Sequence, residues 1–271
     1  MLATLDGFAV EGGFDVAYGP STCFLAASRL AMCATPGDAE GLWESYERVI
    51  DLVPGLSLDG VRLTLEWARL EPRRDRIDAT AIARYRRALA HARSLGLRTT
   101  VVAVDAAWPA WLGAESWLLP WVTPVLQRHA KFLAREFGDL IDALVLFARP
   151  QEMIDLGFLH GAAPPWRQGA SRDAASASER IERVCEFARE DADVAPLLLA
   201  KFVEIPVVRS PQALSMLIDA GATASEVHLR SLVRGAGPTA SATPLLERHG
   251  TSWVRAVPDE IVATWSHSVG S

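Results

Sequence analysis

The chain has 271 residues, of which 50% are hydrophobic and 22% charged, and its formal net charge is −6. That balance excludes a mainly disordered chain. The 33 acidic residues against 27 basic ones argue against a broad basic face for nucleic acid. Only Lys131 and Lys201 are lysines, so the other 25 of the 27 basic residues (27 − 2) are arginines, which favour forked ion pairs with carboxylates. Three cysteines, Cys23, Cys33 and Cys185, lie far apart and outside any zinc-like spacing. They read as reduced thiols of a cytoplasmic protein with no metal and no cofactor. The start of the chain carries no signal-peptide pattern, and no apolar run approaches the ~18 residues that cross a bilayer, so no membrane association is expected.

In chain order, Gly7–Val10 is a short apolar piece, read as the first strand, before Gly12 and Gly13. Asp38–Val53 has helical periodicity, with Pro54-Gly55 behind it. Val61–Trp67 reads as a strand, Ala79–Leu95 as a helix ended by Gly96, Thr99–Val104 as a buried strand, Thr123–Phe137 as a helix stopped by Gly138, and Ala143–Phe147 as a strand. Residues 169–178, rich in Ser, Ala and Gly, read as a surface loop, with a helix over Ser178–Ala195. Strands are expected at Phe202–Val208 and Val227–Val233, with a helix at Pro211–Ala220 between them. A further strand is expected at Trp253–Val257, and Ile261–Trp265 reads as either helix or strand. Alternating strands and helices call for a parallel sheet with right-handed crossovers. No dinucleotide or Walker glycine motif is present. A (β/α)8 barrel takes ~250 residues, which suits this length.

Several motifs in order resemble glycoside hydrolase family 1, the β-glucosidase-type family. Arg62-Leu-Thr-Leu-Glu66-Trp67-Ala-Arg69 with Pro72 is similar to its second-strand motif. Trp108-Pro109, Trp117, Phe137-Gly138-Asp139, Phe147-Ala148-Arg149-Pro150 and the stretch from Gly157 to Pro165 continue the likeness, as does Phe8-Ala9-Val10-Glu11-Gly12 near the start. The resemblance implies an α/β fold, a TIM-barrel-like (β/α)8 domain over 1–271. Residues 1–165 would be its family-like half and 166–271 a divergent, abbreviated half.

The resemblance also implies which positions would act on a sugar, and the residues there have changed. The general acid of the family is a Glu after the fourth strand; this chain has Arg149, which has no accessible proton to give. The neighbouring sugar-binding Asn is Ala148, the His-Trp after the third strand is Asp105-Ala106, and the Gln near the first strand is Ala9. The late glutamates Glu204, Glu226, Glu247 and Glu260 lack the context of the family's nucleophile. A retaining glycosidase needs two facing carboxyls, ~5–5.5 Å apart.

The expected function is therefore a catalytically degenerate barrel that binds a small polar or sugar-derived ligand or a protein partner. The alternative is an enzyme using Glu66, Asp105 and Arg149 at the barrel mouth for other chemistry. By alternation Arg62, Thr64 and Glu66 share one side of the second strand. Glu66, Asp105 and Arg149 then form a row of charges, with Arg62, Glu11, Trp108 and His160 as candidate ligand contacts. Two readings of this row stand side by side: a structural ion-pair cluster, and a grip on a carboxylate or phosphate by Arg149 and Arg62. His228 and most tryptophans read as structural. An abbreviated barrel leaves apolar edges that a second copy could cover, so self-association is a further partner class.

Overall fold

The computed structural model describes residues 2–5, 7–14, 22–23, 41–56, 58–105, 107–148, 150–198 and 226–228. Among these residues five strands make one sheet in the order β4-β3-β2-β1-β5, with β1 at Leu2–Leu5, β2 at Gly60–Thr64, β3 at Arg98–Val104, β4 at Ala143–Phe147 and β5 at Glu226–His228. All four pairings are parallel. A parallel bridge from Leu144 to Leu198 extends the sheet beyond β4. Helices join the strands: α1 at Gly7–Val10, α2 at Leu42–Ile50, α3 at Trp67–Leu70, α4 at Ala79–Ser94, α5 at Val122–Phe137, α6 at Pro150–Ile154 and α7 at Ser171–Glu190. Because the strands are parallel, Leu5, Thr64, Val104 and Phe147 end at the same side of the sheet. Every loop that follows them gathers there.

Local chemistry explains the long helices. Asp78 caps α4, its carboxylate accepting the amides of Thr80 and Ala81 at 2.8 and 3.1 Å. Tyr85, Ala88, Leu89 and Ala92 form the buried stripe, and Gly96 leaves the helix with a φ of 74°. In α5, Leu126, His129, Ala130, Leu133 and Phe137 face inward. The core lies between these helices and the outer row of the sheet, with Leu5, Leu63, Val101, Leu144 and Leu146 all buried.

Three expectations are corrected. The first strand is Leu2–Leu5, and Gly7–Val10 is a helical turn. The second strand stops at Thr64, and Glu66 is the extended residue that opens α3 at Trp67. The expected surface loop over residues 169–178 is largely the first two turns of α7. Ala174 and Ala177 are buried there, in line with Ile181, Val184 and Ala188, so an alanine stripe gives this helix an inward face that bulkier residues would have announced. The expected elements over 202–208, 211–220, 253–257 and 261–265 lie outside the described residues. Of the expected strand over 227–233, Val227 and His228 fall in β5. No helix among the described residues is long and apolar enough to cross a membrane.

Candidate functional site at the barrel mouth

Residues paired in a parallel register face the same side of the sheet. Arg62 pairs with Thr100, Thr64 with Val102, Val102 with Val145 and Val104 with Phe147. These residues form the row opposite the helix-facing core. Arg62, Thr64 and Thr100 are buried in it, so part of the barrel lining is polar. Glu66 continues the row past the end of β2 and is 2% exposed. Asp105, also buried, follows the last residue of β3. Arg149 lies outside the described residues, between Ala148, whose amide bonds the Val104 carbonyl at 2.9 Å, and Pro150, which opens α6.

Glu66 is positioned from three directions. Its own amide donates to the Tyr85 hydroxyl at 3.0 Å. Its Oε1 accepts the Phe8 amide at 2.8 Å, tying the end of β2 to α1. Gly7 makes this contact feasible, because a Cβ there would come within 2.6 Å of Glu66 Cγ and 2.8 Å of the Thr64 carbonyl oxygen. Glu66 Oε2 accepts no hydrogen bond among the described residues. Burial raises the pKa of this carboxyl well above its ordinary value; the negative charges of Glu11 and Asp105 add to the rise, while the Phe8 amide and Arg69 oppose it.

Glu11 has the opposite surroundings. It follows α1 and is buried, with Oε1 accepting the hydroxyls of Tyr46 and Tyr85 at 2.5 and 2.6 Å. Its Oε2 accepts Arg69 Nε at 2.5 Å. The same guanidinium donates to the Gly12 carbonyl and lies 4.1 Å over Phe14 and 4.0 Å over Trp43. Burial, then the Glu11 charge, pushes both tyrosine hydroxyls well above their usual range, so they stay protonated donors.

The remaining candidates separate. Trp108 is buried, its indole N–H donates to the Gly113 carbonyl at 3.0 Å, and it packs edge-on against Trp117 at 5.6 Å. The Cys23 amide covers its carbonyl at 2.8 Å. His160 is exposed, beyond α6 in a bridge to Gln168. The structure thus brings Glu66, Asp105 and Glu11 to the carboxyl end of the sheet, keeps Arg62 at mid-strand in the same row, leaves Trp108 in packing and puts His160 at the surface. Sequence reading missed the partners of Glu11: Tyr46 and Tyr85 look like core residues on amphipathic helices. The available signal was that each buried hydroxyl needs an acceptor. It also missed His129, which stacks on Trp67 at 4.0 Å and whose Nε2 lies 3.2 Å from the Ala103 carbonyl oxygen. Burial lowers the His129 pKa to about 3, so the ring is neutral. Among the described residues no cluster of His, Cys, Asp and Glu could hold a metal ion.

Parallel strands joined by helices, with charged residues gathered beyond the carboxyl ends of the strands, have the α/β architecture of the TIM-barrel class. A profile of glycosyl hydrolase family 1 matches residues 31–186, and the chain belongs to that family. Beta-glucosidase 47 of Arabidopsis thaliana is 28% identical over 129 residues, covering 46% of this chain and 24% of that protein. Among solved structures, a beta-glycosidase from Pyrococcus horikoshii superposes with a TM-score of 0.61 at 19% identity, covering 70% of this chain and 44% of that one. A beta-glucosidase from Thermotoga maritima in complex with deoxynojirimycin gives 0.64 at 16% identity, over 70% and 45%. The chain therefore spans about a quarter of the relative's length (24%) and under half of these two structures (44% and 45%).

Proposed function

We propose that this chain is a family 1 barrel that does not hydrolyse glycosides by the family's retaining mechanism and instead binds a small polar or sugar-derived ligand at the barrel mouth. The observation that carries this reading is Arg149. It stands between Ala148 and Pro150, directly after β4, where the resemblance calls for the proton donor. A guanidinium stays protonated at every working pH and cannot protonate a leaving oxygen. Asp105 at the end of β3 and the buried Arg62 support a mouth rebuilt around charge. Cys23 and Cys185 are buried and in no disulfide, which supports a reducing, cytoplasmic setting.

The test is release of aryl alcohol from chromogenic β-glycosides by the purified full chain. The expected rate equals that of a heat-treated control, and saturable turnover overturns the reading. A second measurement separates a ligand grip from a structural ion pair: Arg149→Ala should abolish ligand-induced thermal shifts while leaving the melting temperature unchanged or higher. One observation favours a second reading, an enzyme of different chemistry. The Glu66 carboxyl is buried with a raised pKa, as a general acid requires. Under that reading Glu66→Gln would abolish an activity that Arg149→Ala only weakens.

A further inference from the structure

The loop between α3 and α4, residues 71–78, is pinned from within. Glu71 is buried, and its carboxylate accepts the Trp67 indole N–H at 2.9 Å, the Asp75 amide at 2.7 Å and Arg128 Nη2 at 2.7 Å. The Arg76 amide closes a β-turn on the Arg73 carbonyl at 2.9 Å, with Asp75 at a φ of 58°. This held turn presents Arg73, Arg74 and Arg76 to solvent. Arg74 lies 3.8 Å from Asp75, whereas Arg73 and Arg76 form no ion pair among the described residues. Cations fixed in place by a buried carboxylate lose little freedom when they meet a partner.

Apolar side chains lie beside the turn. The Arg74 guanidinium sits 5.9 Å over the Trp121 ring. Trp121 and Leu119 are 36% and 40% exposed, and Ile77, next to the turn, is 48% exposed. Arg180 of α7 donates to the Leu118 and Leu119 carbonyl oxygens at 2.8 and 3.3 Å. Arg128 of α5 donates to Asp75. The turn and α7 thus flank the start of α5, with Leu119 and Trp121 between them. On α7, Glu182, Glu186 and Glu190 are exposed and form no ion pair among the described residues. Spaced four apart, they share one side of the helix and repel one another. Of the neighbouring cations, Arg183 pairs with Glu179 at 2.5 Å and Arg189 offsets one charge.

We propose that this outer wall is a two-fold interface between copies of the chain: the arginine turn of one copy meets the α7 acid row of the other, twice, around Leu119 and Trp121. A face with a cationic end, an apolar middle and an acidic end is complementary to itself after half a turn. Net charge favours a second copy over a polyanion. Residues 73–76 carry +2, so the rest of the chain carries −8 (−6 − 2) and repels a polyanion that reaches past the turn. A contact with this much exposed charge is weak and salt-sensitive. It lies outside the barrel mouth and stands whatever the mouth binds.

Sedimentation velocity of the full chain from about 1 to 200 μM, in about 50 and 500 mM NaCl, tests this. The expected result is a monomer–dimer equilibrium with a Kd on the order of 10 μM at low salt, weakened at least about tenfold at high salt. Arg73→Glu with Arg76→Glu should be monomeric, and so should Glu182→Arg with Glu186→Arg. An equimolar mixture of the two variants should restore the dimer, because each reversed turn then faces a reversed row. Trp121→Ser should weaken the parent dimer by about tenfold. The interface is overturned by a monomer at every concentration in low salt, by a dimer that survives both charge reversals, or by a mixture that stays monomeric. Growth into larger species overturns the two-fold arrangement. Should a charge-reversed variant fail to fold, the salt dependence and Trp121→Ser decide.

Discussion

Glu11 and Glu66 sit at the same end of the same barrel, and both are almost fully buried, at 1% and 2% exposure. Around Glu11, two tyrosine hydroxyls and a guanidinium meet the carboxylate, and aromatic rings sandwich the arginine. Around Glu66, one backbone amide meets one oxygen, and the nearest charges include two of its own sign. A buried charge that is paired and hydrogen-bonded is structural, and removing one partner strands the other. A buried acid left half-matched carries a desolvation cost, a feature that functional sites share with structural ion networks. The difference separates a carboxylate closed in by its own partners from one whose second oxygen meets none among the described residues.

The largest expected effect is on the satisfied side. Glu11→Gln strands Arg69 and should lower stability by about 3–5 kcal/mol in urea unfolding; a loss under about 1 kcal/mol would show that the network is decorative. Next is Gly7→Ala, whose added Cβ meets Glu66 Cγ at 2.6 Å and the Thr64 carbonyl oxygen at 2.8 Å. It should cost about 1–3 kcal/mol by displacing α1 from the end of β2.

Glu66→Gln should act in the other direction. The folded-state pKa of Glu66 is raised, so its contribution to stability is intact below the unfolded value and is lost as pH rises through the folded one. The variant should therefore be more stable than the parent by about 1 kcal/mol or more at pH 8, with the gap closing toward pH 4. A gap that widens on acidification would reverse the assignment. The smallest effect is a spectroscopic one. With its pKa lowered to about 3, His129 binds no proton in the folded chain where the unfolded chain does. Its imidazole nitrogen shifts should stay those of a neutral ring from pH 7 to pH 4, and its contribution to stability should fall as pH drops below the ordinary histidine range.

The sequence made much of the framework legible. Ala143–Phe147 coincides with β4, and the helices over Ala79–Ser94 and Val122–Phe137 begin and end within a residue of their expected limits. Long amphipathic stripes and terminal glycines carry that information. The first strand was not legible, because Leu2–Leu5 is only four residues long and the apolar run that follows it coils into α1. The start of α7 was hidden because its buried face there is alanine. In the site, alternation along β2 placed Arg62, Thr64 and Glu66 on one side, as the register shows for the first two. The fate of Glu11 was not readable, since its partners come from residues 46, 69 and 85 and meet only in three dimensions. The gap at Glu66 Oε2 was equally invisible, because an unmet hydrogen bond leaves no pattern in a sequence.

The proposed function turns on Arg149, a permanent cation at the sequence position where the family resemblance calls for a proton donor. The most direct measurement is steady-state hydrolysis of an alkyl β-glucoside, a substrate whose departing oxygen has to be protonated, by the full chain across pH 5 to 8. The account predicts product formation indistinguishable from that of denatured protein at every pH. A bell-shaped rate profile with saturation would reveal a working acid and base, and would contradict it.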